Sequence, residues 1–165
     1  MNKRIFFLIT LLILIINCSG FEFVYNDTII MNEKIKEKVQ FSISGDNKDI
    51  IKRYFISKIG EVGNDPDYTL SIIANSLIKA EVIETDATAS KFMIKHDLKY
   101  VLTNIENKCI AFEKNILTRN SYDAKSAGYS FGTDIAEREF SKQNLHSNID
   151  QFLNQLSTDS SNLKC

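Results

Sequence analysis

Two histidines, His96 and His146, are the only imidazole groups available for acid–base or metal chemistry in this chain. His96 falls on the apolar side of an alternating segment, where a hydrogen-bonded core histidine is more common than a catalytic one. His146 falls on the polar side of a helical pattern, so we expect it to be solvated. The sequence has no HExxH, GxSxG or phosphate-loop motif. We therefore predict a protein that is not an enzyme and that uses neither a cofactor nor a metal ion.

A row of three lysines is the surface pattern that most suggests binding. Lys91, Lys95 and Lys99 recur at every fourth residue of an alternating segment, so they share the outward face of one strand. Ammonium groups on such a face can meet the phosphates of an anionic lipid headgroup, and Arg119 on the next strand could join them. The alternative is a lysine row that only keeps a solvent-facing sheet soluble. As an isolated pattern, that second interpretation is favoured.

The first 17 residues have the layout of a secretory signal. Lys3 and Arg4 provide a positive start, and residues 5–16 form an apolar run with Thr10 as its only polar member. This run is shorter than the roughly 20 residues that a membrane-spanning helix requires. The segment therefore predicts export rather than a permanent membrane span.

The signal ends in Ile15-Ile16-Asn17-Cys18, which resembles the lipobox of bacterial lipoproteins. Cleavage at a lipobox leaves the cysteine as the first residue, carrying acyl chains. Several acyl chains hold a protein firmly at a membrane, since each buried CH₂ contributes ~0.8 kcal/mol. Asn17 stands where a small residue is usual. We expect lipid attachment at Cys18, and the alternative is a signal anchor with an incidental cysteine.

The chain from Cys18 onward has the size and charge of one ordinary domain. Without Lys3 and Arg4 it keeps 18 cations against 21 carboxylates, a net charge of −3, which does not suit a nucleic-acid-binding protein. Cys109 and Cys165 lack metal-type spacing, and we expect two free thiols, although their pairing stays open. We assign residues 1–17 to the signal and residues 18–37 to a lipid-anchored lead-in segment. Residues 38–157 form the expected α+β domain, and residues 158–165 form a polar tail.

The apolar patterns predict six elements in the order β-α-β-β-β-α. Strands have apolar residues at every second position, and the helices have them at every third or fourth position. Three consecutive antiparallel strands with one apolar face need a cover, which two amphipathic helices can provide. We predict a two-layer α+β sandwich with a four-stranded, mostly antiparallel sheet and both helices on one face. The expected strands are 39–44, 68–83, 92–102 and 109–122, and the expected helices are 47–60 and 134–156.

Several short motifs, in order along the mature chain, resemble the LptE-type lipopolysaccharide-assembly lipoproteins. Each is weak alone, and their order and spacing carry the resemblance. Ser19, Phe23 and Lys91 depart from the residues that are common in the family. The motifs are Cys18-Ser-Gly-Phe-Glu-Phe-Val-Tyr25, Tyr68-Thr-Leu, Asp86-Ala-Thr-Ala-Ser-Lys91, Ser121-Tyr122-Asp123 and the 129–156 segment.

The resemblance implies a lipid-anchored outer-membrane protein on the periplasmic face. Members of that family plug the LptD β-barrel, help it assemble and contact lipopolysaccharide. By position, the resemblance implies a lipopolysaccharide contact at Lys91, whereas Lys95 and Lys99 rest on the strand argument alone. The alternative is an accessory lipoprotein of another envelope lipid-transport or ABC-transporter complex.

Overall fold

The structure, a computed structural model, describes residues 35–86, 89–123 and 130–159. These residues contain four strands and two helices in the predicted order. The elements are β1 (Val39–Gly45), α1 (Lys48–Ile59), β2 (Tyr68–Ile83), β3 (Ala89–Asn104), β4 (Ile110–Asp123) and α2 (Ser130–Asp159).

The four strands form one mixed sheet in the order β1-β2-β3-β4. β1 and β2 are parallel and are connected through α1, whereas β2, β3 and β4 pair as an antiparallel meander. Register shifts interrupt the β2–β3 pairing next to Ala80 and Val82. The predicted α+β class, with a mostly antiparallel sheet, is confirmed.

One face of the sheet carries the whole hydrophobic core. Alternate residues in the first half of β2 and the second half of β3, such as Ile72 and Leu98, are buried in one cluster with Phe55 of α1 and with Ile149 and Phe152 of α2. Both helices therefore cover the same face, as predicted. The phenyl ring of Phe152 stacks on Tyr100 with ring centroids 4.1 Å apart, an arrangement that adds to the stabilisation from burial.

The β2–β3 hairpin projects beyond the end of β1. β1 pairs only with residues 68–74 of β2, and it ends at Gly45, whose φ is +92°. A Cβ at Gly45 would lie 2.0 Å from the carbonyl oxygen of Ala74, so only glycine permits this close approach. The next backbone amide, that of Asp46, donates to the same carbonyl oxygen at 2.9 Å. Residues 75–83 of β2 are thus an arm without a β1 neighbour.

The start of α1 has no side-chain cap. Asn47 occupies the N-cap position in a left-handed conformation and makes no side-chain cap hydrogen bond. Asp46 Oδ2 instead accepts a hydrogen bond from the amide of Ser76 at 2.8 Å. The carboxylate therefore satisfies a donor at the exposed edge of β2.

α2 and Cys109 also depart from the expectations. α2 begins at Ser130, so Asp134 lies within the helix and not at its start. Cys109 is disulfide-bonded, so the expectation of a free thiol there is wrong. Cys18 and Cys165, the other two cysteines, lie outside the described residues. Loop position alone gave no indication that Cys109 would be bonded.

Asn148 connects α2 to the centre of the sheet through a buried polar network. Its side chain is fully buried, and its Oδ1 accepts a hydrogen bond from the Tyr100 hydroxyl at 2.7 Å. Its Nδ2 donates to the carbonyl oxygen of Ile116 at 2.8 Å and to Thr118 Oγ1 at 3.1 Å. One amide thus joins α2, β3 and β4.

We predict that Asn148→Ala lowers the free energy of unfolding by about 2–4 kcal/mol, because it leaves the buried Tyr100 hydroxyl and Ile116 carbonyl without partners. Chemical denaturation would measure the change. Asn154→Ala, on an exposed position of the same helix, is the matched control and should change stability by no more than about 0.5 kcal/mol. Equal effects of the two substitutions would contradict the role given to Asn148.

Candidate functional site

The three predicted lysines lie on the open face of the sheet, opposite the helices. Lys91, Lys95 and Lys99 all belong to β3, and their neighbours in sequence, such as His96 and Leu98, are buried on the other face. The β3–β4 register places Arg119 directly across from Lys95. The structure therefore brings the four cations onto one face.

Each of the three lysines has a carboxylate partner. Their side chains remain roughly one third to one half exposed, and exposed ion pairs of this kind contribute ~0–1 kcal/mol. Such pairs can open at little cost when another anion competes for the ammonium group. The pairs, with Nζ–O distances, are Lys91–Glu81 at 3.7 Å, Lys95–Asp97 at 3.8 Å and Lys99–Glu113 at 2.7 Å.

Two of these acidic partners were not predicted. Glu81 and Glu113 come from the strands on either side of β3, so finding them needs the cross-strand register. Glu81 also accepts a hydrogen bond from Ser121 Oγ at 2.9 Å. Alternation in the sequence places Asp97 between the lysines but does not reveal which lysine it contacts.

The open face also carries exposed apolar side chains. Ile73 and Leu77 of β2 and Leu117 of β4 are 48%, 50% and 44% exposed. They lie between the charged residues, because Leu77 is paired with Lys95 and Leu117 with Asp97. A sheet face of this mixed kind is suited to contact with another macromolecule.

His96 is a core histidine, as predicted. It is 1% exposed, and its Nε2 lies 3.1 Å from the carbonyl oxygen of Ser141 on α2. A carbonyl only accepts, so Nε2 carries the proton, and Nδ1 accepts from Ser76 Oγ at 2.8 Å. Asn47 Nδ2 donates to the same Ser76 oxygen at 3.0 Å. A neutral His96 ring with its proton on Nε2 therefore fits all the hydrogen bonds that link Asn47, Ser76 and Ser141.

His146 is not simply solvated, so that expectation is wrong. Its ring stacks on Tyr54 of α1, with centroids 3.6 Å apart and planes 6° apart. Desolvation, followed by the charge of Lys142, lowers the pKa of His146 below its usual value. The contact lies across the seam between the two helices.

Cys18, the predicted lipid-bearing residue, lies outside the described residues. Within the described ranges, no cluster of histidine, cysteine and carboxylate side chains could hold a metal ion. Neither described helix is long and apolar enough to cross a membrane.

Comparison with solved structures identifies the fold as one found in bacterial lipoproteins. Rare lipoprotein B from Shewanella oneidensis is similar at a TM-score of 0.57 and 14% identity, covering 77% of this chain and 98% of that one. A minor lipoprotein from Acinetobacter baumannii is similar at 0.56 and 14%, covering 76% and 94%. Lipoprotein B from Nitrosomonas europaea is similar at 0.58 and 14%, covering 75% and 84%. No protein-family model and no curated protein matches the sequence. At these identities the likeness establishes the fold.

We predict that acid destabilises the protein through His96. Desolvation lowers the pKa of His96 in the folded state, so the unfolded chain takes up a proton near pH 6.5 that the native chain does not. This contribution to stability is complete above pH 6.5 and is lost as the pH falls from there toward the folded pKa. Urea unfolding at pH 7.5 and 5.5 would measure it.

His96→Gln should reduce this pH dependence, because glutamine does not titrate. His146→Gln is the comparison, since the pKa of His146 is also lowered and each variant retains the other histidine. The same pH dependence in wild type and His96→Gln would rule out the assignment.

Proposed function

We propose that this protein is a lipid-anchored lipoprotein on the periplasmic face of an outer membrane, where it plugs an LptD-type β-barrel and assists lipopolysaccharide insertion. On this proposal it performs no catalysis. Lipid on Cys18 supplies the anchor, and the α+β domain supplies the plug.

The observation that carries the proposal is the fold likeness to rare lipoprotein B, which covers 98% of that protein. Rare lipoprotein B is another name for LptE. This likeness in fold supports the resemblance that the ordered sequence motifs suggest independently. At 14% identity, the likeness does not itself assign a partner. The lipobox at Cys18 adds the expected mode of attachment.

The shape and surface of the domain suit a plug. A barrel lumen is wet and polar, and the open sheet face mixes exposed ion pairs with apolar residues such as Leu77 and Leu117. The β2–β3 arm extends this face beyond β1, which gives the domain a wedge-like projection. A projection with such a mixed polar surface would suit the wet, polar lumen of a barrel.

The lysine row gives this face a means of contacting lipopolysaccharide. Phosphate oxygens can replace the carboxylates of Glu81, Asp97 and Glu113, because the existing pairs are solvent-exposed and individually weak. Lysine would then act as a point charge toward each phosphate. Arg119, opposite Lys95, could bind a phosphate through two N–H groups.

We expect purification of the full, lipid-anchored chain from membranes to recover an outer-membrane β-barrel. A Cys18→Ser variant should lose the incorporation of radiolabelled palmitate and is the control for anchoring. Recovery of an inner-membrane transporter, without a barrel, would contradict the proposal and favour the alternative accessory lipoprotein of another transport complex.

Changing Lys91, Lys95 and Lys99 together to Ser should weaken lipopolysaccharide binding by about tenfold or more, because three charge contacts of the order of 0.5 kcal/mol each are lost. A binding titration with purified lipopolysaccharide would measure the change. Lys36, Lys108 and Lys114 changed to Ser form the control, with the same loss of charge at exposed positions elsewhere. Unchanged lipopolysaccharide binding by a folded triple variant would show that the lysine row only keeps this face of the sheet soluble.

A further inference from the structure

A second cationic surface lies on the helical layer, away from the lysine row. A cleft of about 390 Å³ opens between α1 and α2. Arg53 lines it from α1, and Arg138 and Lys142 line it from α2. Arg138 and Lys142 are four residues apart, so they occupy the same side of their helix one turn from each other. Three cations therefore border one opening, with Glu139 as the acidic residue of the lining.

These cations differ from the sheet lysines in their pairing. Within the described part of the chain, Arg53, Arg138 and Lys142 make no ion pair within 4.0 Å, whereas Lys91, Lys95 and Lys99 each have one. Unpaired cations that converge on a concave surface attract an anion more strongly than cations already neutralised by carboxylates. The cations of the cleft are therefore more available to an incoming anion than the three paired lysines of the sheet.

The floor of the cleft is apolar and aromatic. Ile50 and the stacked rings of Tyr54 and His146 form it. Tyr54 is held in place by a hydrogen bond from its hydroxyl to Asp150 Oδ2 at 2.8 Å, and Lys58 Nζ lies 5.2 Å from its ring centroid. An apolar floor with a cationic rim favours a ligand that has an apolar body and an anionic head.

We propose that this cleft binds the phosphate head of an amphiphile, with Arg53, Arg138 and Lys142 contacting the phosphate and its apolar part lying over Tyr54 and His146. Arginine can present two N–H groups to one phosphate, and lysine adds a point charge. Ser57 also lines the cleft, and its hydroxyl donates to the backbone carbonyl oxygen of Tyr54 at 2.7 Å. The site is separate from the lysine row and does not depend on a barrel partner.

The two histidines provide a direct test. His146 lies at the cleft, and the charged groups that act on it are Lys142, Glu139 and Asp150 of α2 and Lys58 of α1. A phosphate bound beside it should raise its pKa, because an added negative charge favours the imidazolium. His96 is buried beneath α2 and hydrogen-bonded to the carbonyl oxygen of Ser141. It is an internal reference whose pKa should not change when phosphate binds at the cleft.

The experiment uses the full mature chain with Cys18→Ser, so that its own acyl chains cannot compete for the cleft. Imidazole NMR titrations would be recorded with three probes: dihexanoyl phosphatidic acid below its micelle concentration, dihexanoyl phosphatidylcholine and inorganic phosphate. We expect binding of the phosphatidic acid with a rise in the His146 pKa, and at least tenfold weaker binding of the other two. If inorganic phosphate bound as tightly as the phosphatidic acid, the role given to the apolar floor would be wrong.

The variant Arg53→Gln with Lys142→Gln should weaken binding of phosphatidic acid at least tenfold. Lys48→Gln with Lys52→Gln is the matched control, since it removes two charges from exposed positions of α1 that do not line the cleft. Thermal unfolding would verify that both variants fold. Equal loss of binding in the two variants, or no binding by wild type, would overturn the site.

Discussion

The position of α2 on the sheet is set by a small group of buried polar contacts, and most other features of the domain follow from it. Apolar packing alone allows a helix to slide or rotate on a sheet at modest cost, because one leucine can often replace another in a groove. Asn148 removes that freedom, since its amide reaches Tyr100, Ile116 and Thr118 together in only one placement. Asn144 Nδ2 and the carbonyl of Ile94 repeat the connection one turn earlier, at 3.2 Å.

This fixed placement determines the surfaces on both sides of the sandwich. Because both helices cover one face, the other face is left to the lysines, their carboxylates and the exposed residues Ile73, Leu77 and Leu117. On the helical side, the placement of α2 brings this helix beside α1, so that the His146 ring stacks on Tyr54. The same helix thus positions the β3 histidine through Ser141 and completes the cleft through Lys142.

The sequence predicted the architecture well because hydrophobic alternation is a local signal. Period-two patterns located β2, β3 and β4, and the even-numbered stripe of β3 correctly placed His96 inside and the lysines outside. Contacts between distant segments were beyond that signal. The partners Glu81 and Glu113 depend on strand register, and the His146–Tyr54 stack depends on how two helices meet. The bonded state of Cys109 likewise depends on a residue distant in sequence.

The contrast between paired and unpaired cations bears on how the two surfaces would act. On the sheet, each lysine already has an acidic partner, so an incoming phosphate gains only the difference between two exposed pairs. Such a small gain suits brief, reversible contacts of an anion along an extended face. At the cleft, Arg53, Arg138 and Lys142 make no ion pair within 4.0 Å with the described residues, although Glu139 also lines the opening. A phosphate amphiphile bound there, as we propose, would gain the full charge interaction together with burial of its apolar part, which favours longer occupancy. We therefore expect a bound phosphate amphiphile to stay longer at the cleft than on the lysine face of the sheet.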